Sequence, residues 1–323
     1  MNVQQLFSPL QRNLFCAACA LAVVALPARS PGQESLLERV PKLDRLVLDN
    51  RVAIKSCELK FVMTREFPGQ PGKGAETVEL YLLVSGSKVL FTRSFPKLDP
   101  PKKSIWCRNG EADGYVIDLH DSDGKKPATV SFVSIAKLPF DSLNNMIPEF
   151  RTIGLLAVEF GGMSSMLPID TIVGAKDRKN LAAAPDRIDG RDAVRVSFRF
   201  RDFANVTYWI VPALGHSLTR MSFENDKNRR SLVTVRPKRC EPSGIWFPES
   251  VEYSEFEKDK LILHTTCAVE IKSVNESIDP KRFRLPALGL PPLTKIYNIP
   301  PKGEAKIWSG TGLLDLRLIE PKP

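Results

Sequence analysis

Three histidines in 323 residues, His120, His216 and His264, leave little for metal or acid–base chemistry to use. They stand far apart in unrelated contexts, and the chain has no HExxH pair to hold a catalytic zinc. It also lacks a phosphate-cradling P-loop and a GxGxxG dinucleotide turn. No GxSxG nucleophile elbow occurs, and Ser164-Ser165 after Gly161-Gly162 lacks both its spacing and its strand–turn–helix context. Asp121-Ser122-Asp123-Gly124 looks like the opening of a calcium loop, but the twelfth position would be Phe132 instead of Glu, so it reads as a turn. No pair of carboxylates stands out for glycoside chemistry. Charge is equally undirected: 46 Lys and Arg against 37 Asp and Glu give +9, with no run of five like charges. Nucleic acid is not an expected partner, no cofactor or metal is implied, and an exported hydrolase is the weakest of three readings.

What is present is proline and glycine, 26 and 19 residues scattered along the chain, which excludes a long helical bundle. Near the N-terminus, Arg12 precedes a thirteen-residue apolar run, LFCAACALAVVAL at 14–26, and Pro27-Ala28-Arg29-Ser30 follows. A basic start, a short apolar core and a small-residue exit describe a secretory signal peptide over 1–30. The run is short for a membrane span, which needs about 20 residues. An uncleaved anchor, or lipidation at Cys16 or Cys19, is the alternative. Export implies a periplasmic or secreted protein, and it changes how the remaining Cys57, Cys107, Cys240 and Cys267 read. In an oxidising compartment four cysteines allow three pairings. Local pairing, 57 with 107 and 240 with 267, is expected, with four buried free thiols as the alternative.

Residues 34–50 carry Leu36, Leu37, Val40, Leu43, Leu46 and Val47 at helical spacing, interrupted by Pro41, which predicts one or two short helices over 31–50. The period then becomes two. Cys57, Leu59, Phe61 and Met63 alternate with polar residues, as in a half-buried strand. Strands 78–84 and 89–95 flank a Ser85-Gly86-Ser87 turn, and short strands at 104–108 and 115–119 follow. Alternation stops over 137–184, where short helices are expected near 148–159 and 168–176. It resumes with Val194, Val196, Phe198 and Phe200, and continues through strands near 206–211, 218–224, 232–238, 245–256 and 261–272. Beyond 290 the chain is a Pro-rich extension, 291–323, with late strands near 306–308 and 314–318. Hairpins without helical crossovers predict one continuous antiparallel sheet.

Two surface features invite a functional reading. Arg195, Arg199 and Arg201 form a basic stripe that could meet phosphates, or could simply be a solvated outer face. Tyr208-Trp209 and Trp246-Phe247 are aromatic pairs at strand ends that either pack in the core or line a cavity.

The order of several short segments carries a family resemblance. They are Ile54-Lys55-Ser56-Cys57-Glu58-Leu59-Lys60-Phe61, Pro148-Glu149-Phe150-Arg151-Thr152-Ile153-Gly154 and Ile188-Asp189-Gly190-Arg191-Asp192-Ala193-Val194. Tyr208-Trp209-Ile210-Val211-Pro212-Ala213-Leu214-Gly215, Gly244-Ile245-Trp246-Phe247-Pro248 and Asn275-Glu276-Ser277-Ile278-Asp279-Pro280-Lys281-Arg282-Phe283 complete the series. Over roughly 50–290 this resembles the LolA-like proteins of the outer-membrane lipoprotein-sorting superfamily. The resemblance implies a mainly β (α+β) fold: a strongly curved antiparallel sheet forming an incomplete β-barrel, with short helices over its concave side, in a domain at 51–290. It also implies a soluble, non-enzymatic carrier whose partners are lipid or lipoprotein acyl chains, with a membrane surface or an envelope protein as further partners. On that reading Leu59, Phe61, Met63, Val194, Val196, Phe198, Phe200, Leu261 and Leu263 make the apolar wall of a cavity. Ile153, Leu155, Leu156, Met163 and Met166 belong to a lid. The same residues filling a solid core, in a structural or interaction module of the envelope, is the competing expectation.

Overall fold

The computed structural model describes residues 35–70, 72–97, 102–108, 115–117, 129–132, 151, 153, 170, 172–202, 204–225, 228–290, 292–299 and 304–315. Residues 1–34, including the expected signal peptide, lie outside them, as does most of 137–177. Helix α1 (Leu36–Val52) opens the described chain. Six strands follow: β1 (Ser56–Glu66), β2 (Glu76–Ser85), β3 (Lys88–Phe95), β4 (Lys102–Arg108), β5 (Tyr115–Ile117) and β6 (Thr129–Phe132). A second series comprises β7 (Arg178–Ile188), β8 (Arg191–Phe200), β9 (Ala204–Val211), β10 (Ser217–Asn225), β11 (Arg229–Cys240), β12 (Ile245–Glu257) and β13 (Lys260–Val274). The C-terminal segment adds β14 (Lys295–Ile299), β15 (Glu304–Trp308) and β16 (Leu313–Asp315).

All sixteen strands belong to one sheet, ordered β16-β15-β14-β6-β5-β4-β3-β2-β1-β13-β12-β11-β10-β9-β8-β7. The two blocks of hairpins join because β1 pairs with β2 on one side and with β13 on the other. Every pair is antiparallel except β14 with β6, which run parallel from Lys295↔Thr129 to Tyr297↔Ser131. Strands β7 and β16 end the order without pairing to each other, so the sheet is an open, incomplete barrel.

Its curvature follows from how α1 packs. Asp44 of α1 bonds Arg178 on β7, whereas Asn50 bonds the backbone of Trp246 on β12. Those strands are five spacings apart, about 24 Å across a flat sheet. Asp44 and Asn50 are separated by only about 9 Å of helical rise. The sheet therefore bends around the helix. Its inner face carries the main core, with Val40, Leu43 and Val47 of α1 packed on residues of β1–β3 and β8–β13.

Four details depart from the sequence expectations. The helix is single and continuous through Pro41, because Val40 on one side and Leu43 on the other are both buried against the sheet. Residues 172–176 are turn and bend instead of helix, and β7 begins at Arg178, inside the segment expected to be a helical insertion. That strand, RKNLAAAPDRI, is Ala-rich and holds Pro185, which an edge strand tolerates and a periodicity reading misses. The Pro-rich extension expected at 291–323 does not stand apart: together with 278–290 it builds a second core on the outer face.

There Ile278, Phe283, Leu288, Leu290, Ile296 and Trp308 cover Leu83, Leu90, Ile105 and Cys107. A Pro280–Phe283 3-10 turn, capped by Asp279 accepting from the Lys281 amide at 2.9 Å, presents Phe283 inward. Beside it Arg282 donates to Glu58 at 2.7 Å and to the Tyr81 hydroxyl, which itself donates to Glu58. The Arg282 hydrogen bond holds the Glu58 carboxyl below its ordinary range, and burial with the Glu58 bond pushes Tyr81 up to about 12. Phe283 is 1% exposed. Phe283→Ala is expected to cost about 3–5 kcal/mol in urea denaturation. A single transition shifted to lower urea is the expected curve; an unchanged midpoint would mean that the C-terminal segment does not stabilise the sheet.

Candidate ligand site on the inner sheet face

In an antiparallel pair, directly opposed residues share a face. Leu59 and Phe61 on β1 lie opposite Leu82 and Leu80 on β2, and Met63 lies opposite both Val78 and Cys267. On the other arm Val194, Val196 and Phe198 oppose Ile210, Tyr208 and Val206. Each of these side chains is buried and belongs to the inner core. Of the residues expected to form an apolar wall, Leu59, Phe61, Met63, Val194, Val196, Phe198, Phe200 and Leu263 are thus together on one face at 0–8% exposure. Leu261 is only half-buried, where β13 leaves its turn. Of the lid residues, Ile153 is buried in the same core alongside Ile172 and Val173. Leu155, Leu156, Met163 and Met166 lie outside the described residues. Among the described residues, α1 and the non-strand residues Ile153, Ile172 and Val173 therefore cover this face.

Sequence reasoning missed the polar groups under α1. The buried stripe of the helix is Val40, Leu43, Asp44, Val47 and Arg51, so two charges face the sheet. Asp44 is fully engaged. One carboxylate oxygen accepts from Arg178 Nη2 at 2.6 Å and the other from the Tyr208 hydroxyl at 2.5 Å. Arg178 also donates to Tyr208 at 3.0 Å and to the Ala175 carbonyl at 2.9 Å, and lies over the Phe198 ring. Burial, then the Asp44 charge, raises the Tyr208 hydroxyl well above its ordinary value. One network thus ties α1, β7, β8, β9 and the covering connection together. The signal was legible in principle: Asp44 and Arg51 fall on the same helical stripe as Val40 and Val47.

The aromatic pairs resolve as packing. Tyr208 is buried beneath α1, and Trp209 donates to Asp186 at 2.9 Å on the outer side. Gly215, at φ +62°, lies under the Trp246 indole, so that a Cβ there would meet Cδ1 at 2.1 Å. Asn50 holds the Trp246 backbone from both sides, donating to its carbonyl at 2.7 Å and accepting from its amide at 3.1 Å. The arginine stripe is a solvated face with local partners. Arg195 lies 3.8 Å from Asp186 and Arg201 3.8 Å from Asp177, while Arg199 donates to the Asp202 carbonyl and to Asn205.

The expected disulfides are corrected by strand register. Cys57 opposes Val84, Val84 opposes Val89, and Val89 opposes Arg108. Cys107 therefore points to the opposite face, three strands away from Cys57. Cys240 opposes Ile245 and Cys267 opposes Val251, six residues further along β12, about 20 Å. Disulfides need Cα atoms roughly 4.4–6.8 Å apart. None of the four is in a disulfide, and all four are buried.

Among the described residues no cluster of three His, Cys, Asp or Glu is placed to hold a metal. No helix there is long and apolar enough to cross a membrane. A polar cleft of about 350 Å³, lined by Glu224, Asn228, Arg230, Lys258 and Asp259, opens by the β10–β11 and β12–β13 turns. Its charged walls do not suit an apolar ligand.

No family model and no curated protein matches the chain. Solved structures similar to it include a LolA superfamily protein from Nitrosomonas europaea, at 10% identity and TM-score 0.42 over 76% of this chain and 97% of that one. A DUF1329 family protein from Desulfovibrio piger is similar at 11% identity and TM-score 0.44, over 77% and 98%. An outer membrane lipoprotein-sorting protein domain from Vibrio parahaemolyticus is similar at 10% identity and TM-score 0.43, over 77% and 97%. They bear the names of the superfamily that the sequence motifs resemble, and of one further family.

Two outcomes test this geometry. Asp44→Ala strands Arg178 without its counter-charge and is expected to cost about 3–5 kcal/mol in chemical denaturation. The double replacement Asp44→Leu with Arg178→Met should recover most of that loss. Burial pushes the Cys107 and Cys267 thiols up to about 12. At pH 8 their thiolate is on the order of one part in ten thousand. Iodoacetamide should leave both unmodified in the folded protein and label them on unfolding; fast native labelling would refute the buried placement.

Proposed function

We propose that the chain is an exported, non-enzymatic carrier that holds an acyl chain or a similar hydrophobic ligand non-covalently against the inner sheet face. The observation that carries this reading is an apolar inner wall covered, among the described residues, by α1 and by Ile153, Ile172 and Val173. A sheet fixed by backbone hydrogen bonds is a stiff wall, whereas a helix docked by side chains can separate from it without breaking the ladder. An apolar ligand entering between the wall and its cover, with the C-terminal end of α1 still in place, would keep the wall dry, so exchange need not expose it to water. In this reading residues 1–30 are a signal peptide, 51–290 the carrier domain with 137–184 supplying cover, and the site of action is the periplasm. Lipid or lipoprotein acyl chains are the partners, at a membrane surface or from an envelope protein.

The nearly complete burial of the wall favours a second reading, in which the core is filled and the protein serves as a structural or interaction module of the envelope. The two differ in one measurement. A carrier takes up N-phenyl-1-naphthylamine saturably, releases it to dodecanol, and yields acyl lipid in an organic extract of the purified protein. A filled module does none of these, and absence of saturable uptake would decide for it. Export is checked separately: the intact mass of protein recovered from periplasm should lack about the first thirty residues.

A further inference from the structure

The two charges on the buried stripe of α1 are not treated alike. Asp44 has two hydrogen bonds, one on each carboxylate oxygen. Arg51, two turns further on and 3% exposed, has none from its guanidinium among the described residues, and its Nη1 is both buried and unpartnered. It sits over the Phe247 ring, 5.0 Å from the centroid, in the main apolar core. The carboxylates nearby are committed elsewhere. Asp44 pairs with Arg178, Asp49 with Arg45 at 2.8 Å on the surface, and Glu241 with Arg239 at 3.5 Å. Asn50 spends both side-chain groups on Trp246. The remaining neighbour is Cys240, whose thiol is raised by burial against the pull of Lys238 and Arg51, and so is neutral near pH 7. Burial lowers Arg51 to about 9, which still leaves it charged at neutral pH.

An unpaired buried guanidinium is among the costliest features a core can hold, and an apolar side chain in its place would generally be more stable. The ring beneath it and the carbonyl end of α1 offset part of that cost. They leave unused the planar fork of donors that suits a carboxylate or phosphate. We infer that Arg51 is the counter-charge for the anionic headgroup of the ligand, so that the cargo is an anionic amphiphile: its chain lies on the apolar wall and its headgroup at the C-terminal end of α1. This rests on the carrier reading and adds to it a ligand class and a specificity residue. It also accounts for the asymmetry along α1. Asp44 fastens the middle of the helix with partners the protein supplies itself, while the charge at its end waits for one from outside.

Calorimetric titration of the full protein, freed of bound lipid, with sodium dodecanoate, dodecanol and sodium acetate tests this, each below its aggregation limit. The wild type should bind dodecanoate at least tenfold more tightly than dodecanol, and should not bind acetate. Arg51→Met should abolish the preference while leaving dodecanol affinity within about threefold, and should raise Tm by roughly 2–6 °C. Arg51→Lys should keep part of the preference. Equal affinity for the two twelve-carbon ligands in the wild type, or a preference that survives Arg51→Met, overturns the headgroup assignment and leaves the carrier reading intact. Acetate binding as tightly as dodecanoate would make Arg51 a site for free anions and overturns it too. Failure of both long-chain ligands to bind removes the carrier reading itself, and this inference with it. The wild-type comparison decides the matter even if the variant does not fold.

Discussion

The Asp44–Arg178–Tyr208 network is the joint on which the described architecture turns. Arg178 is the first residue of the edge strand β7, Tyr208 lies two strands inward on β9, and Asp44 comes from the only α-helix among the described residues. An edge strand has no second neighbour to hold it, and a helix on a sheet face has no backbone bonds to fix its rotation. The ion pair settles both with one geometry. Such a pair adds little net stability over an apolar replacement, because desolvation consumes most of the Coulomb gain. What it supplies is orientation: with both carboxylate oxygens occupied, α1 sits in one rotational setting, and Val40, Leu43 and Val47 face the wall.

Burial is distributed unevenly across the sheet, and that divides the labour. Around β2 and β3 both faces are covered, the inner by the main core and the outer by the C-terminal segment, so Leu82 and Leu83 are both buried although they point opposite ways. Strands β8–β12 are covered on the inner side and carry Arg195, Arg199, Glu252 and similar residues outward, the ordinary pattern of a one-sided antiparallel sheet. The C-terminal wrap therefore stiffens one arm from behind. The other arm meets α1 on its inner face.

Much of the fold was legible because its signals are local. Alternation at Cys57–Met63 and Val194–Phe200 reads as strands regardless of what surrounds them, and Gly86, Gly190 and Gly215 mark turns through their positive φ. The short motifs behind the family resemblance prove to be fastenings. The Pro212–Leu214 turn and Gly215 receive Trp246. Asn275 at the end of β13 accepts from the Lys55 and Ser56 amides and donates to Ala53, clasping the entry to β1. Phe283 plugs the outer core. These residues mark the fold and do not by themselves point to a ligand. Strand β7 was not legible, because alanines and a proline carry no alternation. The cysteine pairing failed for a different reason: proximity in sequence says nothing about which face a side chain takes three strands away.

By itself, then, the amino-acid order determined the strands, the turns and the open antiparallel sheet, since backbone preference and two-residue alternation act within a few residues. Its scattered prolines and glycines marked the boundaries of that sheet. Only the tertiary structure decided which polar groups become buried together. Asp44 acquires partners 134 and 164 residues away, and Arg51 acquires an aromatic ring but, among the described residues, no anion. Such pairings depend on how far the sheet curves around α1, a property of the whole set of strands that no local stretch encodes.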